Sequence, residues 1–365
     1  MNTVVTVTPN PALDQTVRLA NLALGEVNLA ASLEFNAGGK GVNVAGCLAD
    51  YGITTVATGL LGSEDAMAFD AMFADKQIAD RFVRIAGRPR INVKLVDTAR
   101  NETTDINLAT SVPKAAEVGT LERRIVELAS PGRWFVLAGS LPPGVDVSFY
   151  RRITRALHAA GAHVALDTSG APLADVLRAG DPADLPDLVK PNRAELEAAL
   201  GRSLPDDDAL IHAACALVQR GIAYVVVSLG ERGALGVKRA SIDASAVASA
   251  VASAVAPSHV IPHAQDGAES ASSYEGWRAA PLRVPVSSTV GAGDALVAGL
   301  VAGLVEARPW PELGRRATAF AAAKLARVGP HLPDHATLDA LAAQVELVTF
   351  SVAANPLRVT QHQAV

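Results

Sequence analysis

Apolar runs of strand length alternate along this chain with helix-like runs, and this alternation is the feature that most constrains the fold. The strand-like runs are Val4–Val7, Val56–Leu60, Arg133–Ala138, His163–Leu166, Tyr224–Ser228 and Ala234–Val237. The helix-like runs are Val42–Tyr51, Ala66–Lys76, Ala115–Leu128, Val147–Ala159, Arg193–Leu200, Asp208–Arg220, Asp294–Val305 and Glu312–Arg327. The pattern predicts an α/β fold with a mainly parallel central sheet flanked by helices. Ligands of such sheets bind beyond the carboxyl ends of the strands, so the loops there are the candidate functional segments.

Two regions break the alternation. Arg88–Val96 and Thr103–Ala109, joined by a polar connection, have the pattern of a β-hairpin, which predicts a second, small sheet serving as a flap. Residues 239–276 are rich in Ala and Ser and have no strong periodicity. We interpret them as a low-complexity insertion at a loop tip, and a partner-binding helix is the alternative. Residues 351–365 are interpreted as a tail.

Composition excludes several classes of protein. The chain has 365 residues, of which 50% are hydrophobic and 19% charged, and its formal net charge is −5. This describes a globular chain, and the acidic balance argues against non-specific nucleic-acid binding. Cys47 and Cys215 lie in apolar runs outside any metal or redox motif, which predicts reduced, buried thiols. With no evident signal peptide or membrane-spanning run, we expect a cytoplasmic protein without a membrane partner.

The segment Ser287–Asp294, which reads Ser-Ser-Thr-Val-Gly-Ala-Gly-Asp, opens an apolar helix. Small residues let a ligand approach the backbone closely. The first N–H groups of a helix have no internal partner, so such a helix start binds anions, above all phosphate. Asp294 is then either a helix cap, worth about 1 kcal/mol, or a general base beside a transferring phosphoryl group. Spacing alone favours the cap.

Two familiar nucleotide-binding motifs are absent from the sequence. The Gly39-Lys40 step is followed by Gly41 and lacks the remaining residues of a P-loop. No GxGxxG follows a predicted strand, which argues against a nicotinamide-binding Rossmann domain. The glycines of the late segment follow an expected strand at residues 281–286 instead.

A second glycine-rich segment, Asn36–Asn43, reads Asn-Ala-Gly-Gly-Lys-Gly-Val-Asn and also precedes a helix. Its consecutive glycines expose backbone N–H groups, and Lys40 and Asn43 add donors. This favours a grip on a sugar phosphate; the alternative is a tight turn with a solvated lysine. Asp14, just after the first strand, is placed to accept hydrogen bonds from sugar hydroxyls.

The hairpin segment Arg88–Leu95 alternates polar and apolar residues. The period of two places Arg88, Arg90, Asn92 and Lys94 on one face and Ile91, Val93 and Leu95 on the other. Three cations and an amide on one face suit an anionic sugar, with Asn107 on the return strand completing the polar surface. An ordinary solvated face is the alternative.

Two further loops are candidates for the nucleotide side. Asn192 and Glu195 are three residues apart at the start of a helix, as in a capping box. They are also suited to hold Mg²⁺ through waters, because magnesium needs few protein oxygens; both interpretations can hold together. The segment Ser228–Gly233, Ser-Leu-Gly-Glu-Arg-Gly, joins two strands; alone it is a plain glycine turn, and next to a nucleotide it offers backbone groups.

Taken together and in order, these segments resemble the ribokinase-like sugar kinases of the phosphofructokinase-B family, and within it the 1-phosphofructokinases. The resemblance covers about residues 1–350 and rests on eight ordered motifs, which together are more specific than any one alone. They are Thr8–Asp14, Ala37–Asn43, Arg90–Leu95, Thr103–Asn107, Ala138–Gly144, Val189–Glu195, Val227–Gly233 and Ser288–Asp294.

The resemblance implies a role for each matching residue. Asp294 would be the catalytic base, with Gly291, Ala292 and Gly293 as the anion hole for the γ-phosphate of ATP. The sugar-phosphate pocket would be formed by Asp14, Gly39, Lys40, Asn43, Arg90, Lys94, Asn107 and Ser140. Residues near ATP would be Lys190, Asn192, Ser228, Gly230 and Gly233, and Mg²⁺ would be held through water by Asn192 and Glu195.

The resemblance also implies a single domain over residues 1–350, with a small β-sheet lid from about 10–35 and 88–110. The implied reaction is ATP-dependent phosphorylation of fructose 1-phosphate at O6. A kinase of tagatose 6-phosphate or fructose 6-phosphate is the alternative, and a non-catalytic sugar-phosphate sensor is a third. An open strand edge on the lid suggests a homodimer through it.

Overall fold

A large mixed sheet with helices on both faces forms the body of the protein. The structure is a computed structural model, and it describes residues 3–109, 111–240, 273–286, 290–327, 331–354 and 357–361. The strands of the described residues are β1 (Val4–Thr8), β2 (Ala12–Leu19), β3 (Ser32–Gly38), β4 (Thr55–Gly62), β5 (Ala79–Asp80), β6 (Val83–Ile85), β7 (Arg90–Asp97), β8 (Glu102–Asn107), β9 (Trp134–Ala138), β10 (His163–Asp167), β11 (Leu188–Val189), β12 (Tyr224–Ser228), β13 (Ala234–Arg239), β14 (Tyr274–Ala279), β15 (Leu347–Ala354) and β16 (Leu357–Gln361).

The helices of the described residues cover both faces of this sheet. They are α1 (Lys40–Asp50), α2 (Met67–Asp75), α3 (Ala115–Glu127), α4 (Phe149–Ala159), α5 (Gly170–Arg178), α6 (Arg193–Leu200), α7 (Asp207–Gln219), α8 (Ala292–Val305), α9 (Trp310–Leu325) and α10 (His335–Ala343). The core has one apolar layer under α3–α7 and another under α1 and α8–α10. Burial of these two layers against the sheet is the main driving force for this fold.

The order of the strands fixes where a ligand can bind. The large sheet runs β16-β15-β14-β13-β12-β11-β10-β9-β1-β4-β5, with β6 beside β4. The pairs from β4 through β1 to β12 are parallel, and β12 to β16 are antiparallel. The chain leaves β1 towards β4 on one side and later returns to β9 on the other. Because the order reverses there, a crevice opens at the carboxyl ends of β1 and β9.

A separate four-stranded sheet, in the order β3-β2-β7-β8, stands beside this crevice. The prediction of an α/β fold with a mainly parallel sheet and a small second sheet is therefore confirmed. Each of the strand-like and helix-like runs that the alternation predicted forms the expected element, with ends within a few residues of the prediction. The predicted hairpin is formed by β7 and β8. Residues 10–35 were expected to contribute to the same small sheet. They contain β2 and the start of β3, and β3 continues to Gly38.

One sequence prediction is wrong, and the boundaries of two further segments differ from those expected. The expected strand at 281–286 is an irregular segment. The strand lies earlier, at β14, because Pro281 and Pro285 lack the N–H groups that a ladder between β13 and β15 requires. The expected insertion at 239–276 begins and ends inside β13 and β14; its residues 241–272 lie outside the described residues. Residue 351, where a tail was expected to begin, lies within β15. This strand continues to Ala354 and pairs with β16.

Two expectations on composition can be compared with the fold. Cys47 and Cys215 are buried free thiols, as predicted, and burial raises the pKa of each to about 12. In the part of the chain that the structure describes, no helix combines the length and apolarity needed to cross a membrane.

Candidate active site

The start of α8 is an open backbone end that faces the crevice. Gly291 precedes the helix with φ of 82° and ψ of 1°, a left-handed conformation that glycine adopts at little cost, and it provides no capping side chain. Gly293 is held close to Lys190, since a Cβ at Gly293 would lie 3.6 Å from the Lys190 Nζ. The N–H groups of the first turn and a lysine therefore face the same space, an arrangement that attracts an anion.

Asp294 lies in the first turn of α8 and is 6% exposed. Its Oδ2 accepts a hydrogen bond of 2.7 Å from the Asn43 side-chain amide, which the first turn of α1 carries. Burial and the negative charge of Asp167 raise the pKa of Asp294 to about 6, against the opposing effects of Asn43, Lys40 and Lys190. A carboxyl with this pKa is ionised at pH 7 and remains basic enough to accept a proton. The helix-cap interpretation fails here, because the cap position of α8 is Gly291 with no side-chain cap hydrogen bond, and the Asp294 carboxylate accepts its hydrogen bond from Asn43 of another helix.

A cluster of the buried Lys190 and Asp167 with the partly exposed Lys40 adjoins Asp294. Asp167, the last residue of β10, is fully buried, and its Oδ1 lies 2.9 Å from the Lys40 Nζ and 3.4 Å from the Lys190 Nζ. Burial opposes the charged form of Lys40, but the charge and hydrogen bond of Asp167 outweigh it, so the pKa of Lys40 is raised. Lys40 therefore remains cationic, and the side chains of Lys40 and Lys190 both contact the single Asp167 carboxylate beside the open helix start.

The glycines of the second segment are required by close backbone contacts. A Cβ at Gly38 would lie 2.7 Å from Cγ of Asp14, and one at Gly41 would lie 2.3 Å from Oγ1 of Thr8. Gly39 has φ of 110° and packs against Thr8 and Pro11. These contacts press the start of α1 against the end of β1. Lys40 and Asn43 are thereby directed at the crevice.

The site face of the small sheet carries a connected polar network. Asp14 on β2 accepts hydrogen bonds from the Asn92 amide at 2.9 Å and from the Lys94 ammonium at 2.6 Å. Arg90 donates to Oδ1 of Asn92 at 2.9 Å, while its Nε is buried without a hydrogen-bond partner among the described residues. Asn107 is opposite Asn92 in the register and shares its face. The alternation predicted for β7 is confirmed.

The structure places Arg88 differently from the sequence prediction, and it gives Ser140 a contact that the sequence did not indicate. Arg88 precedes β7, and its side chain pairs with Asp65 at 3.0 Å and has no hydrogen bond to the network of Asp14, Asn92 and Lys94. Ser140, directly after β9, accepts a hydrogen bond of 3.0 Å from the Asn10 amide, which ties the loops after β1 and β9 together.

The nucleotide-side candidates are adjacent loops at the same end of the sheet. Asn192 and Glu195 form the predicted capping box, with reciprocal bonds of 2.8 Å to each other's backbone N–H. Asn192 also bridges to Ser228. Gly230 and Gly233 have positive φ, and a Cβ at Gly233 would lie 2.1 Å from the Ala279 carbonyl oxygen. Close packing against Ala279 therefore requires a glycine at position 233. The segment at 287–289 that precedes Gly291 lies outside the described residues.

Sequence reasoning missed two members of this site, Asp167 and Asn10. A signal existed for Asp167, because it is a carboxylate that ends a buried strand, where ligands of a parallel sheet bind. Asn10 lies within a motif that the sequence analysis used, but only the fold shows that its side chain reaches the loop after β9.

The chain is similar to carbohydrate kinases over nearly its whole length. The family model for pfkB family carbohydrate kinases matches residues 8–256 and 240–336. A 1-phosphofructokinase of Xanthomonas campestris is 42% identical over 322 residues, which is 88% of this chain and 90% of that protein. A 1-phosphofructokinase of Rhodobacter capsulatus is 38% identical over 348 residues, covering 95% and 98% of the two chains.

The fold has solved counterparts. The crystal structure of Escherichia coli phosphofructokinase-2 in complex with fructose-6-phosphate matches with a TM-score of 0.77 and 26% identity, over 94% of this chain and 99% of that one. The ribokinase-like arrangement expected from the sequence is confirmed by this match.

Proposed function

Because the chain belongs to the pfkB family of carbohydrate kinases, we propose that it transfers the γ-phosphoryl group of ATP to O6 of fructose 1-phosphate. The products are fructose 1,6-bisphosphate and ADP. The observation that carries this proposal is a buried carboxylate, Asp294, with a pKa of about 6 beside an open helix start and two cationic lysines. The choice of sugar is supported by the 1-phosphofructokinase relatives at 42% and 38% identity.

In the proposed mechanism, Asp294 accepts the proton of the O6 hydroxyl as O6 attacks the γ-phosphorus. An O–P bond forms, the bond between the γ-phosphorus and the bridging oxygen breaks, and ADP leaves with that electron pair. The N–H groups of Gly291, Ala292 and Gly293 and the Lys190 ammonium stabilise the charge on the transferring phosphoryl oxygens. Positioning and charge stabilisation supply most of such a rate enhancement, because phosphoryl transfer needs little covalent chemistry from the protein.

The sugar phosphate is held between the start of α1 and the site face of the small sheet. Asp14 accepts hydrogen bonds from sugar hydroxyls, while Lys40 and Asn43 bind from the side of α1. Arg90, Lys94, Asn107 and Ser140 bind the phosphate that the sugar already carries, and Gly39 lets it approach the backbone. The small sheet covers the site and excludes water that would otherwise hydrolyse ATP.

The nucleotide and Mg²⁺ are assigned to the adjacent loops. Ser228, Gly230 and Gly233 offer backbone groups to ATP, with Lys190 and Asn192 at the phosphates. Mg²⁺ neutralises phosphate charge when bound, and the donor set fits it. The capping box uses Oε2 of Glu195 and leaves Oε1 for a metal-bound water. No cluster of three metal-ligand side chains exists among the described residues, as suits an ion that keeps most of its waters.

The proposal is tested by measuring ATP turnover on fructose 1-phosphate, fructose 6-phosphate and tagatose 6-phosphate. We expect the highest kcat/KM for fructose 1-phosphate. A preference for fructose 6-phosphate would favour the alternative suggested by the likeness to phosphofructokinase-2. Binding of sugar phosphates without ATP turnover would instead identify the chain as a sensor.

Arg90→Ala is expected to raise KM for the phosphorylated sugar roughly tenfold or more and to leave KM for ATP nearly unchanged. The reason is that Arg90 belongs to the small sheet and loses a charge-assisted contact worth about 1.5–3 kcal/mol. Steady-state kinetics with each substrate varied in turn measures this. Arg88→Ala, which removes an exposed cation that pairs with Asp65, is the matched control. Equal losses for both substrates in Arg90→Ala would contradict the role given to the small sheet.

We expect kcat/KM to fall as the pH is lowered below about 6. Below its pKa of about 6, Asp294 is protonated and cannot accept the O6 proton, so kcat/KM drops about tenfold per pH unit. Asn43→Ala removes a hydrogen bond that stabilises the carboxylate, and it should move this limb to higher pH. A limb that stays in place in Asn43→Ala would contradict the assignment to Asp294.

We further propose a homodimer that joins the outer faces of two small sheets. The outer face is the side opposite the site, and each of the four strands contributes at least one apolar side chain to it. Leu33 and Phe35 on β3 and Ile106 on β8 are 50%, 52% and 48% exposed. The register places them beside Val17 and Val93 on the same face. A second copy would bury this surface symmetrically.

Phe35→Asp is expected to shift the protein from dimer to monomer in sedimentation at micromolar concentration, because it places a charge in the apolar contact. Val126→Asp, at an equally exposed apolar position on α3, is the control and should not change the mass. A wild-type protein that is monomeric under these conditions would reject the dimer.

A further inference from the structure

A second buried lysine, Lys324, lies at the start of α8 and has no role in the mechanism above. It is 3% exposed and belongs to the last turn of α9. Helices α8 and α9 have 14 and 16 residues, are joined by residues 306–309 and pack together, so the end of α9 returns to the level where α8 begins. The fold therefore brings this side chain to the candidate anion hole.

The lysine occupies the space that the missing side chain of Gly291 leaves. A Cβ at Gly291 would lie 3.1 Å from Cε of Lys324 and 3.8 Å from its Nζ. On the other side of the helix start, a Cβ at Gly293 would lie 3.6 Å from the Lys190 Nζ. The two glycines of the anion hole are thus each in contact with a buried lysine.

The two lysines differ in their partners. Lys190 pairs with Asp167, whereas no carboxylate among the described residues lies within ion-pair distance of Lys324. The ammonium of Lys324 donates one hydrogen bond, of 3.2 Å, to the Arg327 carbonyl oxygen. An ammonium has three donors, and buried cations are usually paired with an anion. Among the described residues, two donors and the positive charge of this ammonium therefore have no partner, which leaves them available for a ligand.

The charges around Lys324 come from both halves of the site. Burial lowers its pKa, and the neighbouring charges that oppose this include those of Asp294 and Asp14, with Lys94 acting in the same direction as burial. Cys47, also nearby, is a neutral thiol because burial raises its pKa to about 12. The lysine therefore stands where the proposed phosphoryl donor and the sugar meet.

We propose that Lys324 is a further catalytic residue, whose ammonium binds the oxygens of the transferring phosphoryl group on the Gly291 side of the anion hole. This inference rests on the proposed function. In it, Lys190 and Lys324 clamp the phosphoryl group from opposite sides of the helix start. Charge that grows on the phosphoryl oxygens is then neutralised by two fixed cations and by the backbone N–H groups.

A purely structural role makes a different prediction. A cation in the last turn of a helix stabilises it through the macrodipole, and the bond to the Arg327 carbonyl suits that role. If stabilisation were its function, removal of the charge would lower stability and leave catalysis by the folded protein intact. If Lys324 binds the phosphoryl group, removal of a buried charge that has no carboxylate partner among the described residues should not lower stability, and kcat should fall.

The test is Lys324→Met in the full chain, which keeps the apolar stem and removes the charge. We expect kcat to fall roughly 10²-fold, with KM for the sugar phosphate changing less and the melting temperature equal or higher. Lys324→Arg should retain more activity than Lys324→Met. The matched control is Lys76→Met, whose buried lysine pairs with Asp50 away from the site; it should lose stability and keep kcat.

Chemical rescue supplies a readout that a structural role would not change. In Lys324→Ala, added methylammonium chloride should restore part of kcat, whereas sodium chloride of equal ionic strength should not. An equal response to both salts would overturn the proposal. A Lys324→Met protein with kcat within threefold of the wild type, or one that loses kcat only as it loses its fold, would also overturn it.

Binding of ATP separates this inference from the proposed function. ATP alone should raise the melting temperature of the wild-type chain, and the rise should be smaller in Lys324→Met. If the wild type phosphorylates no sugar phosphate but Lys324→Met still loses the ATP effect, the proposed function fails and the phosphate-binding role of Lys324 stands. If ATP raises the melting temperature of Lys324→Met as much as that of the wild type, and kcat is also unchanged, the role of Lys324 is contradicted while the proposed function stands.

Discussion

Asp294→Asn is expected to lower kcat by roughly 10²- to 10⁴-fold or more while the protein stays folded. Asparagine keeps the shape of the side chain but cannot accept the proton of the attacking hydroxyl. The Asn43 side-chain amide, which donates to Oδ2 of Asp294 at 2.7 Å, could donate instead to the amide oxygen of the new asparagine. Single-turnover kinetics with ATP in excess measures the chemical step. Near-normal turnover in this variant would remove the base assignment.

The same variant should be more stable than the wild type at neutral pH. The pKa of Asp294 is raised in the folded state to about 6, so between roughly pH 4 and 6 the folded state binds more protons than the unfolded state. Stability therefore falls as pH rises through this window, and the full penalty remains above it. Removing the carboxylate relieves a penalty of roughly 1–3 kcal/mol. Denaturant unfolding at pH 7.5 and pH 4.5 checks this, since the gain should shrink at the lower pH.

A drop in stability at pH 7.5 would contradict this account of the burial of Asp294. Asp184→Asn is a suitable control of opposite sign. Its carboxylate accepts hydrogen bonds from Arg155 and Arg151, which hold the pKa of Asp184 below its usual value. That substitution should destabilise the protein near pH 7 and leave kcat unchanged.

Gly291→Ala is expected to lower kcat roughly 10²-fold. A left-handed conformation with φ of 82° costs a residue with a Cβ about 1 kcal/mol. The new methyl group would also lie 3.1 Å from Cε of Lys324, so either the lysine or the start of α8 must move. A displacement of the N–H groups by a fraction of an ångström weakens their hold on the phosphoryl group. Steady-state kcat and the melting temperature together measure the two effects.

Gly132→Ala is the matched control for backbone strain. Gly132 has φ of 74°, and a Cβ there would meet no atom within 4 Å. It lies before β9, away from the carboxyl ends of the strands. We expect it to lose about 1 kcal/mol of stability with kcat unchanged. If Gly291→Ala behaves in the same way, the start of α8 is not the anion hole.

The regular features of the fold were predictable because they are local. Apolar runs gave the parallel strands β1, β4, β9 and β10, and the alternation in Arg90–Lys94 gave the polar face of β7. The strand at 281–286 was wrong because β14 is defined by its pairing with β13 and β15. Residues 351–365 were interpreted as a tail for the same reason, since strand pairing at the sheet edge leaves little local signal.

The sequence by itself determined the parts of the site that adjacent residues form. These are the glycine that opens α8, the capping box of Asn192 and Glu195, and the glycines that free the backbone before α1. Each depends on neighbours within a few positions, where backbone geometry and residue type decide the outcome.

Only the tertiary structure decided which charges meet. Asn43 and Asp294 are 251 positions apart, and Lys40 and Asp167 are 127 apart, yet each pair lies within hydrogen-bond distance. The strand order brings the ends of β1, β9, β10 and β11 together, and the return of α9 brings in Lys324. Burial then sets the pKa of Asp294, because the cost of holding a charge depends on the whole surrounding structure and not on the sequence nearby.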